Sequence, residues 1–384
     1  MRACSAWKPG SSSTWAIKLV TSVAASAVLL FVCASAASAS TNERRGLVAA
    51  GPAPSTVRLA TTSSIATIVL LAMQGNGSLA RIGREYNTNI TFSNSLGSGA
   101  IDTAFAAGQF DFIFTGPQHA PLLLEQGQDA VQLMSIASGG GVYVVGASKY
   151  RASRGTDLKK WAGANFADSG VGSSTELWLD ALMHAGGLTD YTKTPLSLTA
   201  LYPTFLSGRV DGYSADVGTV APAIVDGSGY IIADSTTAAA AKLYGAPIPT
   251  VNMVGKRAFT TAYPQLTQTL VTGLMATLRS LSRTRSHNAA AKFVDDVRFT
   301  LPTNNPYRND TKTWGTIWRL ILPSLKGEEG VYTKARYSAT VKFLRAAAAI
   351  PADQPDPPTS MIDNSFVIKA YKALKLKLPA GVLR

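Results

Sequence analysis

Cysteine is almost absent from this 384-residue chain, and both of its cysteines, Cys4 and Cys33, lie close to the N-terminus. The rest of the chain therefore has no disulfide bond, no thiol nucleophile and no cysteine-ligated metal. Histidine is scarce as well, and His119, His184 and His287 do not have the spacing of a metal site. A fold without such cross-links must be held together by its hydrophobic core.

Sequence motifs of common enzymes are also missing. The chain contains no H-E-x-x-H zinc motif, no G-x-S-x-G nucleophile elbow and no G-x-x-x-x-G-K-[ST] phosphate loop. We therefore predict that the protein is not an enzyme and requires no metal or cofactor. A secreted enzyme or a ligand-sensing module on the same fold are the alternatives that the sequence leaves open.

A hydrophobic run stands near the N-terminus, where 19–32 form an uncharged, mostly apolar stretch of 14 residues. A membrane span needs about 20 residues, so this run is short for one. Basic residues precede it and the small residues A-S-A at 37–39 follow it, which is typical of a cleaved signal peptide. We predict a signal peptide at 1–39, a flexible leader at 40–56 and export to the periplasm or cell surface. An uncleaved anchor is the alternative.

The chain has a strong excess of positive charge, which is +13 in full and +10 once Arg2, Lys8 and Lys18 of the predicted signal peptide are removed. The basic residues are scattered, and the densest cluster, at 369–377, fits one face of a terminal helix. For an exported protein we therefore predict no nucleic-acid partner. A positive field that attracts small anions, or simple solubility, accounts for the charge.

Strand-like and helix-like segments alternate along the chain after residue 57, which predicts parallel sheets covered by helices on both faces. Small hydroxyl residues precede the apolar run at 65–73, as is typical of a helix N-cap. We place strands at 57–60, 89–92, 111–114, 131–136, 142–145, 165–167, 213–215, 230–233 and 250–254. We place helices at 65–73, 99–107, 120–126, 173–185, 202–206 and from 263 onward.

A short pattern recurs in the two halves of this region, as A-G-Q-F-D-F at 107–112 and as S-G-R-V-D-G at 207–212. In each copy a predicted helix ends on glycine, and an apolar residue followed by Asp begins the next strand. The recurrence indicates two α/β lobes of similar build.

These segments resemble the periplasmic solute-binding proteins of ABC importers, of the nitrate/sulfonate/taurine-binding type (the NMT1/THI5-like group). The resemblance covers roughly 57–371, and further rests on G-S-S-T at 172–175 and I-D-N-S-F at 362–366. It implies an α/β, type II periplasmic-binding-protein fold, with two α/β lobes joined by a two-crossover hinge. The crossovers are expected near Val145 and Pro249. This assigns residues 57–147 and 248–384 to lobe one and residues 148–247 to lobe two.

The resemblance also implies a function. Proteins of this family capture a small-molecule ligand between their lobes and deliver it to an ABC permease in the membrane. We expect a monomer and an anionic ligand, such as a sulfonate or nitrate. The identity of the ligand does not carry over, because the contacting side chains vary among members.

In open α/β sheets, ligands bind at the carboxyl ends of the strands, where this chain has loops rich in Gly, Ser and Thr. Helix N-termini in such loops offer free N–H groups to an anion, and hydroxyls add hydrogen bonds. Helix capping by the serines and turn formation by the glycines are the alternative interpretations. For Tyr202 the alternative to ligand contact is a place in the core. Asp216 could bind an amine of the ligand or cap a helix, and His119 is interpreted as a helix start. The predicted ligand-binding residues are Thr62, Ser63, Ser64, Ser98, Gly99, Thr115, Gly116, Gly140, Ser173, Ser174, Thr175, Tyr202 and Asp216.

Overall fold

The computed structural model of the chain describes residues 52–62, 64–93, 98–139, 141–283, 295, 297, 306–325, 330–351 and 353–383. The predicted signal peptide and most of the predicted leader lie outside the described residues. Within them the chain forms two five-stranded sheets, each covered by helices. Each sheet with its helices forms one lobe.

The sheet of lobe one has parallel strands at one side and an antiparallel strand inserted between the last two. Its strands are β1 (Thr56–Thr61), β2 (Asn89–Ser93), β3 (Phe112–Thr115), β4 (Ala130–Ser138) and β10 (Pro249–Lys256). Their order is β2-β1-β3-β10-β4, with β10 antiparallel to β3 and β4. The helices between these strands are α1 (Ser64–Gly75), α2 (Ser78–Tyr86), α3 (Ser98–Ala106) and α4 (His119–Glu125).

The sheet of lobe two repeats this plan. Its strands are β5 (Val142–Ala147), β6 (Ala164–Asp168), β7 (Tyr191–Pro195), β8 (Gly212–Asp216) and β9 (Gly229–Asp234). Their order is β7-β6-β8-β5-β9, with β5 antiparallel to β8 and β9. Its helices are α5 (Ser174–Ala185), α6 (Leu198–Leu206), α7 (Val217–Val225) and α8 (Ala238–Tyr244), and short 3-10 turns lie at Ser148–Tyr150 and Leu158–Trp161.

The chain passes between the lobes at two crossovers. After each crossover it forms the antiparallel strand in the sheet of the lobe that it has entered. The first lies between Ser138, where β4 ends, and Val142, where β5 begins, which is earlier than the position expected near Val145. The predicted end of lobe one at residue 147 is therefore wrong, because β5 pairs with β8 and β9 along its whole length. The second crossover precedes β10 and lies close to Pro249, as expected.

Helices in the last third of the chain cover both lobes rather than lobe one alone. They are α9 (Arg257–Ala262), α10 (Pro264–Arg283), α11 (Thr311–Ser324), α12 (Lys334–Ala346) and α13 (Ser365–Ala373), with 3-10 turns at Pro306–Asn309 and Thr359–Met361. Helices α10 and α13 pack on lobe one, whereas α11 packs on α7 and α12 packs on α5 and α8.

The assignment of all residues after 248 to lobe one is therefore wrong. The physical reason is aromatic burial, since the ring of Phe343 on α12 lies 4.6 Å from that of Trp178 and 5.4 Å from that of Tyr244, both in lobe two. Trp178 and Tyr244 are both buried core residues.

The recurring glycine–aspartate pattern has the same structure in both lobes. Gly108 and Gly208 have positive φ angles of 77° and 75°, which L-residues rarely adopt. The carboxylates of Asp111 and Asp211 then accept backbone N–H groups from the neighbouring strand, at 2.8 Å from Arg58 and at 2.9 Å from Asn165. The prediction of two related lobes is thereby confirmed.

Helix α1 is almost entirely apolar because it is buried on all sides, between the first sheet, α2, α7 and α10. Among the described residues, no single helix is both long and apolar enough to cross a membrane, and only the bent α1–α2 pair passes that test together.

Candidate ligand-binding site

A cavity of about 500 Å³, open solvent at its mouth included, lies between the lobes at the carboxyl ends of the parallel strands. Both lobes and both crossovers contribute to its wall. The described residues that line it are Thr62, Ile65, Gly116, Gly141, Val142, Ser169, Ser174, Thr175, Leu198, Asp216, Thr250 and Val251.

Four helices begin at this cavity. Helices α1, α5, α6 and α7 each bring a residue of their first turn or N-cap to the wall: Ile65, Ser174, Leu198 and Asp216. The first N–H groups of a helix have no partner within the helix, and its N-terminal end carries partial positive charge. The wall therefore favours a negatively charged group without a cationic side chain.

Asp216 is the one charged side chain among the described lining residues. It occupies the N-cap position of α7, and Thr219 Oγ1 donates a hydrogen bond to its Oδ1 at 3.3 Å. Its position is compatible with both roles that the sequence left open, because a cap residue at this helix start also faces the cavity. A ligand with a positive group would meet it there.

On the side of lobe one, two threonines lie at the ends of adjacent strands. Thr62 Oγ1 lies 3.5 Å from Thr115 Oγ1, and the Thr62 N–H donates to Phe114 O at 3.2 Å. Thr115 is completely buried, so Thr62 and Gly116 form the wall there.

On the side of lobe two, the loop between β6 and α5 is closed by its own hydrogen bonds. Thr175 Oγ1 accepts the Ser169 N–H at 3.0 Å and lies 2.6 Å from Ser169 Oγ. Ser173 Oγ accepts the Glu176 N–H at 3.2 Å, and Glu176 Oε2 accepts the Gly172 N–H at 2.6 Å. This reciprocal arrangement resembles a capping box and makes Ser173 the N-cap of α5.

Asp168 anchors the same loop from behind. Its side chain is buried, and Oδ1 accepts the Gly170 N–H at 2.7 Å. Burial raises the pKa of the Asp168 carboxyl, and the hydrogen bond from Gly170 opposes part of that rise. The loop is therefore fixed at its base while Ser169 and Ser174 face the cavity.

Thr250 is a lining residue that the sequence did not identify as a ligand contact. Its side chain is 3% exposed, and its hydroxyl has no hydrogen-bond partner among the described residues. A buried hydroxyl without a partner costs free energy, so a ligand that accepts or donates a hydrogen bond there would recover it. Thr250 is the second residue of strand β10, beside the second crossover, and this position next to a crossover is the signal that could have identified it.

The cavity brings together five of the thirteen predicted residues: Thr62, Gly116, Ser174, Thr175 and Asp216. Thr115 is buried beneath it and Ser173 caps α5, as the alternative interpretation held. Tyr202 does not line the cavity, since its hydroxyl donates to Asp226 at the far end of α7. Tyr202 lies on α6, which begins at Leu198, after strand β7 has ended at Pro195.

The remaining predicted residues are described only in part. Ser63 and Gly140 lie outside the described residues. Ser64 begins α1, and Ser98 and Gly99 begin α3. His119 is the first residue of α4, as predicted. No group of three or more metal-ligating side chains occurs in the part of the chain that the structure describes.

Solved structures with the same two-lobe fold are those of periplasmic binding proteins. The alkanesulfonate-binding protein SsuA from Xanthomonas axonopodis pv. citri, bound to MOPS, superposes with a TM-score of 0.62 at 17% identity, covering 82% of this chain and 100% of that chain. The periplasmic nitrate-binding protein NrtA from Synechocystis superposes with a TM-score of 0.65 at 12% identity, covering 86% of this chain and 92% of that chain. The expected α/β two-lobe fold is thereby confirmed.

The sequence itself identifies the family. The model of the NMT1-like family matches residues 50–295, so the chain belongs to the NMT1-like family, and the resemblance noted from its motifs is confirmed. No curated protein matches the chain significantly.

Proposed function

We propose that this protein is an exported solute-binding protein, which captures a small ligand between its lobes and delivers it to an ABC import permease. The observation that carries this proposal is the interlobe cavity, at which four helices from two lobes begin. The family and the fold support it, because the structural neighbours include alkanesulfonate-binding and nitrate-binding proteins.

The ligand in this proposal carries an acidic group, such as a sulfonate, nitrate or carboxylate. The N-terminal ends of α1 and α5, which carry partial positive charge, would hold that group, with Ser174 and Thr62 adding hydroxyls. Asp216 opposes a purely anionic ligand, so a zwitterion with a positive group near Asp216 fits the cavity better than a bare anion. MOPS, the ligand of the Xanthomonas protein, is itself a zwitterionic sulfonate.

We propose no catalytic role for the cavity. Its hydroxyl groups are not accompanied by a histidine or lysine among the described lining residues, so a nucleophile–base pair is missing there. The proposed protein acts as a monomer in the periplasm or at the cell surface, with the permease as its partner.

Thermal unfolding against a ligand panel tests this function. The panel holds nitrate, sulfate, phosphate, bicarbonate, alkanesulfonates, taurine, MOPS, amino acids and aromatic carboxylates. A ligand at 100 times its dissociation constant adds about 2.7 kcal/mol to the free energy of unfolding, which raises the melting temperature by several degrees. A saturable rise supports the proposal. No rise for any member, with an intact cooperative transition, contradicts a small acidic ligand.

The variant Asp216→Asn separates the two ligand classes. If a zwitterion binds, removal of the negative charge weakens its affinity while bare anions bind as well as before or better. If a zwitterion binds the wild-type protein and Asp216→Asn with equal affinity, contact between Asp216 and the ligand's positive group is excluded. Asp226→Asn, at the other end of α7, is the matched control.

A further inference from the structure

A buried polar cluster at the edge of the cavity is not used by the ligand proposal. Gln118 and His119 are each 2% exposed, and Asp102 is 6% exposed. Burying an amide, an imidazole and a carboxylate together is unfavourable unless each makes hydrogen bonds. The partners of these groups therefore indicate why they are buried.

Gln118 reaches across the cleft from lobe one to lobe two. Its Nε2 donates to Gly172 O at 3.0 Å and lies 3.3 Å from Ser174 Oγ, which in turn lies 3.4 Å from Gln118 Oε1. Gln118 lies between β3 and α4, whereas Gly172 and Ser174 lie on the loop that leads into α5. These hydrogen bonds exist only while the two lobes are in contact.

His119 and Asp102 determine which way the amide of Gln118 points. His119 Nδ1 lies 2.6 Å from Asp102 Oδ2, so the carboxylate accepts the ring proton and leaves Nε2 as an acceptor. Gln118 Nε2 lies 3.1 Å from His119 Nε2 and donates to it. Turning the amide by 180° would put Oε1 against Nε2 of His119 and the carbonyl of Gly172, three acceptors together. The amide is thus oriented from within lobe one.

Gly116 leaves the room that this contact needs. A Cβ at Gly116 would lie 2.0 Å from Ser174 Oγ and 2.4 Å from Gln118 Oε1. Because such distances are far below contact distance, any larger residue would displace one of the two groups.

We propose that Gln118 is a latch residue that holds the two lobes closed, and that His119 is a positioning residue that orients its amide. This inference rests on the proposed function, because a latch has a role only where lobes open and close. An amide that is already oriented loses less conformational freedom on closure, which favours the closed form.

Distance measurements between spin labels test the latch without any ligand. The full chain, with Cys4 and Cys33 replaced by serine, carries labels at Glu125→Cys in lobe one and Lys160→Cys in lobe two, which are both exposed. Gln118→Leu removes all the hydrogen bonds that Gln118 makes to lobe two and should lower the ratio of closed to open molecules about tenfold. Gln126→Leu, an exposed glutamine at the end of α4, is the matched control and should leave the ratio unchanged.

Variants of His119 test the positioning role. His119→Leu removes the acceptor and should lower the closed-to-open ratio several-fold, whereas the amide oxygen of His119→Gln can accept the same hydrogen bond and should restore most of it. Thermal unfolding of each variant shows whether its fold is intact. A wild-type ratio in Gln118→Leu overturns the latch, and equal losses in both His119 variants overturn the positioning role.

The outcome is independent of the ligand panel. Two distance populations that respond to Gln118→Leu support the latch even if no panel member raises the melting temperature. A single distance that is the same in every variant contradicts it even if a ligand is found.

Discussion

The two lobes are alike far from the cleft and different beside it. At the far ends, Asp111 and Asp211 each join the starts of two parallel strands: the Asp111 N–H donates to Arg58 O at 2.9 Å, and the Asp211 N–H donates to Asn165 O at 2.8 Å. Their remaining partners differ, since Asp111 pairs with the half-exposed Arg58 guanidinium and Asp211 accepts the Tyr150 hydroxyl at 2.6 Å.

Beside the cleft the lobes have no such correspondence. Lobe one presents Thr62, Gly116 and the latch residue Gln118, whereas lobe two presents a loop that is closed by its own hydrogen bonds between Ser169 and Thr175. We infer that the repeated features build the fold, and we propose that the unrepeated features at the cleft serve ligand binding and closure.

The largest expected effect concerns the repeated aspartates. Asp111→Ala and Asp211→Ala each leave a backbone N–H and a side-chain donor without an acceptor, and should lower the free energy of unfolding by about 2–3 kcal/mol. Urea denaturation measures this, with the exposed Asp190→Ala as the control that should be neutral. If only one of the two variants lowers the free energy of unfolding, the two motifs do not have equivalent roles.

Gly116→Ala tests the features beside the cleft, which the two lobes do not share. The added Cβ displaces Ser174 or Gln118 and should weaken ligand affinity about 30-fold, which equals about 2 kcal/mol, with the unfolding free energy nearly unchanged. Calorimetric titration with a ligand found in the panel measures it. Gly315→Ala, where a Cβ would meet nothing within 4 Å, is the control. Unchanged affinity in Gly116→Ala would show that closure does not need this contact.

Thr250→Val should weaken affinity about tenfold if the ligand hydrogen-bonds to the hydroxyl. Because that hydroxyl has no partner among the described residues, its removal should not lower stability. Thr277→Val is the control with the opposite expectation. Thr277 Oγ1 donates to Gly273 O at 2.9 Å, far from the cavity, so this substitution should lower the free energy of unfolding without changing ligand affinity. Titration and urea denaturation of both variants check the pair, and a loss of stability in Thr250→Val would mean that the hydroxyl supports the fold.

Ser173→Ala has the smallest expected effect. Loss of the N-cap of α5 should lower the free energy of unfolding by about 1 kcal/mol and leave affinity unchanged. Thr237→Ala, which removes the corresponding cap of α8, is the matched control and should behave the same way in urea denaturation. If Ser173→Ala weakens ligand affinity and Thr237→Ala does not, Ser173 contacts the ligand.

The fold could be predicted from the sequence because it depends on local patterns. Alternating elements, the two Gly-x-x-Asp segments and the loops rich in Gly, Ser and Thr are all readable within short windows. The site was predictable in part for the same reason, since Thr62, Gly116, Ser174 and Thr175 follow recognisable strands and Asp216 ends one.

The rest depends on contacts between distant parts of the chain. Gln118 and Gly172 are 54 residues apart, and their hydrogen bond requires the two lobes to meet. Thr250 reaches the wall only because β10 returns to lobe one between β3 and β4. Local patterns also cannot separate a serine that caps a helix, as Ser173 does, from one that also faces the cavity, as Ser174 does.

The central claim is that one ligand is held by both lobes at once, and hydrogen–deuterium exchange with and without a ligand from the panel tests it most directly. We expect slower exchange at the carboxyl ends of both sheets, in peptides that contain Thr62 and Gly116 of lobe one and Ser174 and Asp216 of lobe two. Slower exchange in only one lobe, or at a surface away from these strand ends, would contradict it.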